Sequence, residues 1–125
     1  MNENQLSYKA IGIALDLHKT LGPGLLESAY EAAFAYDLRA AGLKVENQLN
    51  VPFIYKDLEL HTAFRLDLLI EGKLIIEIKS VEELSPLHYS QTLTYLKLTG
   101  LKLGLLINFN TPYLKEGINR IVNNL

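Results

Sequence analysis

Apolar residues recur along this chain with two different periods, and the changes of period divide it into elements. From Leu6 to Leu21 they fall at Leu6, Ala10, Ile13, Ala14, Leu17 and Leu21, the three-and-four spacing of a helix with one buried stripe. Gly22-Pro23-Gly24 ends the pattern, because proline cannot continue a helix and glycine permits a tight reversal. A second helix is predicted from Leu25 to about Ala41, stopped by Gly42. The two would form a hairpin, with Ala29, Ala32, Ala33 and Ala35 allowing close approach to neighbours.

Beyond Gly42 the period shortens to two. Leu43 to Gln48, Val51 to Tyr55 and Leu58 to His61 read as short extended segments, and Pro52 suggests an edge position or a strand start. Two stronger strands follow, with alternation at Phe64, Leu66, Leu68 and Ile70 and again at Leu74, Ile76 and Ile78, separated by Glu71-Gly72-Lys73. Ser85-Pro86 resembles an N-cap with proline at the first helical position, so a helix is predicted over Pro86 to Thr99, ending at Gly100. Lys102 to Phe109 is almost continuously apolar, as in a strand buried on both faces. The tail from Tyr113 to Leu125 fits either a strand or a helix.

A helix between the Leu74–Lys79 and Lys102–Phe109 strands is the usual connection of a parallel pair. The expected fold is therefore α/β, with an N-terminal helical hairpin and a central mixed β-sheet flanked by helices. The 125 residues suit a single domain, 1–125.

Composition narrows the function. Cysteine is absent, which excludes disulfides and thiolate metal sites and fits a reducing, cytoplasmic setting; any metal would be held by oxygen or imidazole. No apolar run reaches membrane-spanning length, and the Met-Asn-Glu-Asn-Gln start lacks the features of a secretory signal. A formal net charge of -2 gives no global basic footprint. A local basic surface would have to come from residues such as Lys97, Lys102, Lys115 and Arg120.

The candidate chemistry lies in the most apolar part of the chain. Asp67, Glu77 and Lys79 fall opposite the alternating apolar residues of their strands, and an unpaired charge in such surroundings is costly. Two carboxylates sharing a face repel unless they share a cation or a proton. Whether they share one depends on register: a three-residue loop Ile70-Glu71-Gly72 would pair Asp67 with Ile75 and set Glu77 diagonally beside it, whereas a two- or four-residue loop would send Asp67 to the other face. Glu27, early in the second helix and one turn from Tyr30, supplies a third carboxylate. Three converging carboxylates would suit Mg2+ or Mn2+, which keep several waters.

The ordered set resembles a known family. Gly24-Leu25-Leu26-Glu27-Ser28-Ala29-Tyr30 is similar to the motif that names the GxxExxY proteins, and Asp67 with Glu77-Ile78-Lys79 resembles the signature of the PD-(D/E)XK nuclease superfamily. Gln91-Thr92-Leu93-Thr94-Tyr95 resembles the Gln-x-x-x-Tyr element of its exonuclease-like branches. The resemblance covers nearly the whole chain; Leu66 stands where a proline often precedes the aspartate.

The resemblance implies a restriction-endonuclease-like core and metal-dependent hydrolysis of phosphodiester bonds in nucleic acid, DNA ahead of RNA. It also implies that Asp67, Glu77 and the Ile78 carbonyl ligate the metal, that Glu27 completes the site, and that Lys79 orients or activates water. Tyr30 reads as core or as a support for Glu27 or Lys79. Gln91 and Tyr95, one helical turn apart, either face the site or pack, and His18, on a face with Ile11 and Leu15, reads first as a packing residue and second as a base or ligand. Self-association would enlarge the small footprint of such a domain. The rival reading is a catalytically silent module of the same fold that binds nucleic acid or a protein partner.

Overall fold

The computed structural model describes residues 1–125, leaving out the side chains of Thr62 and Ala63. Helix α1 (Glu3–Leu21) starts earlier than its apolar stripe, because Asn2 and Gln5 close a capping box around its first turn. Helix α2 (Glu27–Ala40) follows a turn in which Gly22 and Gly24 take positive φ. Tyr30 fastens that turn: its hydroxyl donates to the Gly22 carbonyl and accepts from the Leu25 N–H.

The predicted short strands join into two long ones, β1 (Val45–Tyr55) and β2 (Leu58–Ile70). Pairing shifts register between Val51 and Phe53, so Pro52, which has no N–H to donate, sits at an irregularity on an edge strand. Strand β3 (Leu74–Lys79) is antiparallel to β2 and parallel to β4 (Leu103–Asn108), and α3 (Pro86–Thr99) makes the crossover. The ambiguous tail divides into a short 3-10 turn (Leu114–Gly117) and β5 (Ile118–Val122), antiparallel to β4. Among the described residues the sheet has five strands in chain order, β1-β2-β3-β4-β5.

Helices α1 and α2 cover one face of the sheet. Leu6, Ala10, Ala14, Phe34 and Leu38 pack there with Leu68, Ile70, Leu74, Ile76, Ile78, Leu103, Leu105 and Ile107. Phe109 stacks on Tyr30 with centroids 4.7 Å apart and meets Phe34 edge-on. The other face carries a smaller cluster of Leu66, Ile75 and Leu96 beneath α3. All six residues of β4 are buried, as expected of a strand covered on both faces.

The β2–β3 register differs from the expected one. Ile70 pairs with Leu74 across Glu71-Gly72-Lys73, which places Asp67 directly opposite Glu77 rather than opposite Ile75. Glu71 takes positive φ along with Gly72, and it is tied to Lys44 by a backbone bond and by its carboxylate. That anchoring holds the whole turn beyond Ile70.

The alternation expected along Phe64, Leu66, Leu68 and Ile70 is also broken. Leu68 and Ile70 join the α1–α2 core, whereas Leu66 and Phe64 lie on the α3 side. The change of face falls at Asp67, where Gln48 on β1 has φ 50 between the Asn47–Leu68 and Leu49–Leu66 pairs.

Candidate functional site

Asp67 and Glu77 take over the work of the backbone where the β2–β3 ladder ends. The last regular pair is Leu68 with Ile76. One step further, the Asp67 N–H donates to Glu77 Oε2 at 2.9 Å, and the Ile78 N–H donates to Asp67 Oδ2 at 2.8 Å. Each carboxylate spends one oxygen on the opposite strand and keeps Oδ1 or Oε1 for other partners.

Burial differs between the two acids. Asp67 is half-buried, whereas Glu77 is only 3% exposed. Burial, and then the charge of Asp67, push the Glu77 carboxyl up to about 8, against the smaller opposing effects of the Asp67 N–H and of Lys79. Glu77 therefore holds a proton at neutral pH in the metal-free protein. Lys79, half-buried, follows two residues later on the same strand face; among the described residues no ion pair links it to either acid.

Helix α3 brings Tyr95 to the α3 side of the same region. Its ring stacks on Phe64 at 4.6 Å, and its hydroxyl is held in the neutral form by burial and by the charges of Glu77 and Asp67, with the Gln91 side chain opposing that effect. His88, on the same stripe, closes the helix cap by accepting from the Ser85 N–H through Nδ1.

The other expected residues make different contacts. The Tyr30 hydroxyl is used on Gly22 and Leu25, away from Glu27 and Lys79. His18 is buried, with Nε2 3.1 Å from the Phe109 carbonyl oxygen, which binds α1 to the end of β4. Glu27 is exposed and meets the acidic group only through its charge on Glu31, one turn along α2. Ile78 contributes its N–H to Asp67.

Two residues that the sequence reading passed over lie at this point. Glu31 accepts from Gln48 Nε2, and the same nitrogen lies 3.4 Å from Asp67 Oδ1. Burial raises the Glu31 carboxyl, Gln48 opposes that effect, and Asp67 and Glu27 add to it. The four-residue step from Glu27 was a usable signal for Glu31, since such residues share a helix face. The end of the first extended segment at Gln48 was a fainter one.

Asp67 and Glu77 offer hard oxygen donors, which suit a divalent cation such as Mg2+; that ion needs only one or two carboxylates and retains water. A cation would also offset the burial, and the smaller effect of the Asp67 charge, that together favour the protonated form of Glu77. Among the described residues no group of three or more acidic, histidine or cysteine side chains is arranged to hold a metal, so water or backbone oxygen would complete the shell.

The family model of the PD-(D/E)XK nuclease superfamily matches residues 4–121. The chain belongs to that superfamily. The α/β architecture, with its mixed sheet between helices, is consistent with the restriction-endonuclease-like fold, and membership supports a nuclease-like function in general. The PD-(D/E)XK match runs from α1 into β5 and so includes every residue placed around Asp67. No curated protein and no solved structure matches the chain. No helix is long and apolar enough to cross a membrane.

Proposed function

We propose that the protein is a metal-dependent nuclease that hydrolyses phosphodiester bonds in nucleic acid, with DNA ahead of RNA as substrate and Mg2+ or Mn2+ as cofactor. One observation carries the reading: Asp67 and Glu77 face each other at the end of the β2–β3 ladder, with Lys79 two residues beyond on the same face, in a chain of this superfamily. The Gly24–Tyr30 segment supports placing it among the GxxExxY proteins.

Asp67 and Glu77 would hold the cation through the oxygens not used on the backbone, with the Ile78 carbonyl as a further donor. When bound, such an ion lowers the pKa of water and offsets charge on the phosphoryl oxygens. To act as a ligand, Glu77 would have to give up its proton to solvent. The Lys79 ammonium binds a phosphoryl oxygen and stabilises the charge that builds as water attacks phosphorus in line. The P–O ester bond breaks as the new P–O bond forms, the attacking water passes its proton to solvent, and the departing alkoxide is protonated from solvent. Tyr95, kept neutral, is a hydroxyl donor on the α3 side, with Gln91 beside it.

The purified protein, assayed with Mg2+ or Mn2+ on single-stranded, duplex and structured DNA and RNA, should cleave at least one substrate, and Lys79→Ala should abolish the cleavage. No cleavage by wild type, or equal cleavage by Lys79→Ala, removes the reading.

A second reading has its own support. Both acids already spend an oxygen on backbone N–H groups, and no third acidic ligand stands with them among the described residues. A silent module that binds nucleic acid or a protein partner would have that character. Calorimetry separates the two: absence of Mn2+ binding favours the module, and Mn2+ binding lost in Asp67→Ala favours the enzyme.

A further inference from the structure

Gln48 occupies a costly backbone conformation. Its φ of 50 lies in the left-handed region, which disfavours a side chain with a Cβ and is met more cheaply by glycine or asparagine. The backbone alone does not call for glutamine here. The side chain supplies a reason: the amide Nε2 reaches Glu31 Oε1 on α2 and lies 3.4 Å from Asp67 Oδ1 on β2. One neutral amide with two N–H donors thus stands between two carboxylates that would otherwise repel each other. It does so between the Asn47–Leu68 and Leu49–Leu66 pairs, across from Asp67, where β2 changes face.

Asp67 is held from two sides. The Ile78 N–H fixes Oδ2 from β3, and the Gln48 amide restrains Oδ1 from β1. We infer that Gln48 is a positioning residue of the site, which fixes Asp67 Oδ1 so that its remaining lone pair would face the cation, and links it to Glu31, so that α2 acts on the site through this amide. The inference rests on the nuclease reading. Residues that orient the ligands of a metal commonly change its affinity ten- to a hundredfold when removed.

The test uses Gln48→Gly and Gln48→Asn, both of which suit the left-handed backbone, neither of which spans the two carboxylates as glutamine does. Thermal midpoints should stay within a few degrees of wild type. The Mn2+ dissociation constant, measured by calorimetry on the inactive Lys79→Ala background, should rise about tenfold in both. In the metal-free protein, the two side-chain N–H resonances of Gln48 should be separated from those of a solvated glutamine and should move in Asp67→Asn.

Wild-type Mn2+ affinity in both variants, or Gln48 amide resonances at solvated positions, overturns the positioning role while leaving the nuclease reading standing. Absence of Mn2+ binding to the parent protein overturns both. Parallel losses of midpoint and affinity assign Gln48 to the fold and overturn the positioning role as well.

Discussion

Asp67 and Glu77 stand directly opposite each other on β2 and β3, with the Asp67 N–H bonded to Glu77 Oε2 at 2.9 Å and Asp67 Oδ2 bonded to the next residue's N–H at 2.8 Å. The two acids are therefore structural members of the sheet as well as candidates for chemistry. Substitutions at either will change folding and function together unless the replacement preserves the acceptor.

Asp67→Ala leaves the Ile78 N–H without its acceptor and should destabilise the protein by about 1–3 kcal/mol. Asp67→Asn retains a carbonyl oxygen in nearly the same position and should cost less than about 1 kcal/mol. Both should lose nuclease activity. Urea unfolding beside the cleavage assay checks the pair, and equal destabilisation by Asn and Ala would show that the bond to Ile78 contributes nothing.

Glu77 makes the metal-free protein pH-sensitive. Its carboxyl rises from an ordinary 4.5 to about 8 on folding, chiefly through burial and then through Asp67, so between those values the folded state binds a proton that the unfolded state has released. The contribution is complete below about pH 4.5 and is lost as pH rises toward about 8, of order 5 kcal/mol in all. Thermal midpoints in chelator should fall across that window from this group, and Glu77→Gln should flatten the fall. Mn2+ binding at pH 7 should release protons, seen as a buffer-dependent heat of binding.

Much of the architecture was legible because its signals were local: the stripe of α1, the Gly22-Pro23-Gly24 reversal, the Ser85-Pro86 start of α3 and the apolar run of β4 each depend on a few neighbouring residues. The β2–β3 register was not, because it depends on Glu71 taking a left-handed conformation and being anchored to Lys44, a contact between distant parts of the chain. The site was legible in the same proportion. Asp67, Glu77 and Lys79 stood out as charges within apolar strands, but Gln48 meets Asp67 from the neighbouring strand at a residue of positive φ, and Glu31 joins only through the Gln48 amide. Glu27 carried the motif, and Glu31, one turn on, accepts from the Gln48 amide.

Tyr30 predicts a structural phenotype. Tyr30→Phe keeps the stack on Phe109 but removes the hydroxyl that bridges Gly22 and Leu25, two backbone groups of the α1–α2 turn. The loss should be about 1–2 kcal/mol in chemical unfolding. Amide exchange should quicken at Leu25 before it does in β4. A variant with unchanged exchange in the turn would leave the bridge without a role.

Gly117 and Gly12 should respond in opposite directions to alanine. A Cβ at Gly117 would stand 2.1 Å from the Asn108 carbonyl oxygen, a backbone atom of the buried β4 strand. Asn108 cannot yield freely, because its side chain holds both the N–H and the carbonyl of Val81 in the segment that follows Lys79, and also the Asn110 N–H. Relief must come from moving the 3-10 turn or the end of β4, and overpacking of this kind costs about 1–3 kcal/mol. Gly12 lies exposed within α1 with nothing near its missing Cβ, so Gly12→Ala should stabilise by about 0.5–1 kcal/mol through helix propensity alone. Denaturant midpoints measured side by side give the comparison. Because the strain at Gly117 passes through Asn108 to the loop beyond Lys79, Gly117→Ala should also slow cleavage, while Gly12→Ala leaves it at the wild-type rate. Equal midpoints for the two variants would mean that β4 and the following turn move apart without cost, which the burial of Asn108 argues against.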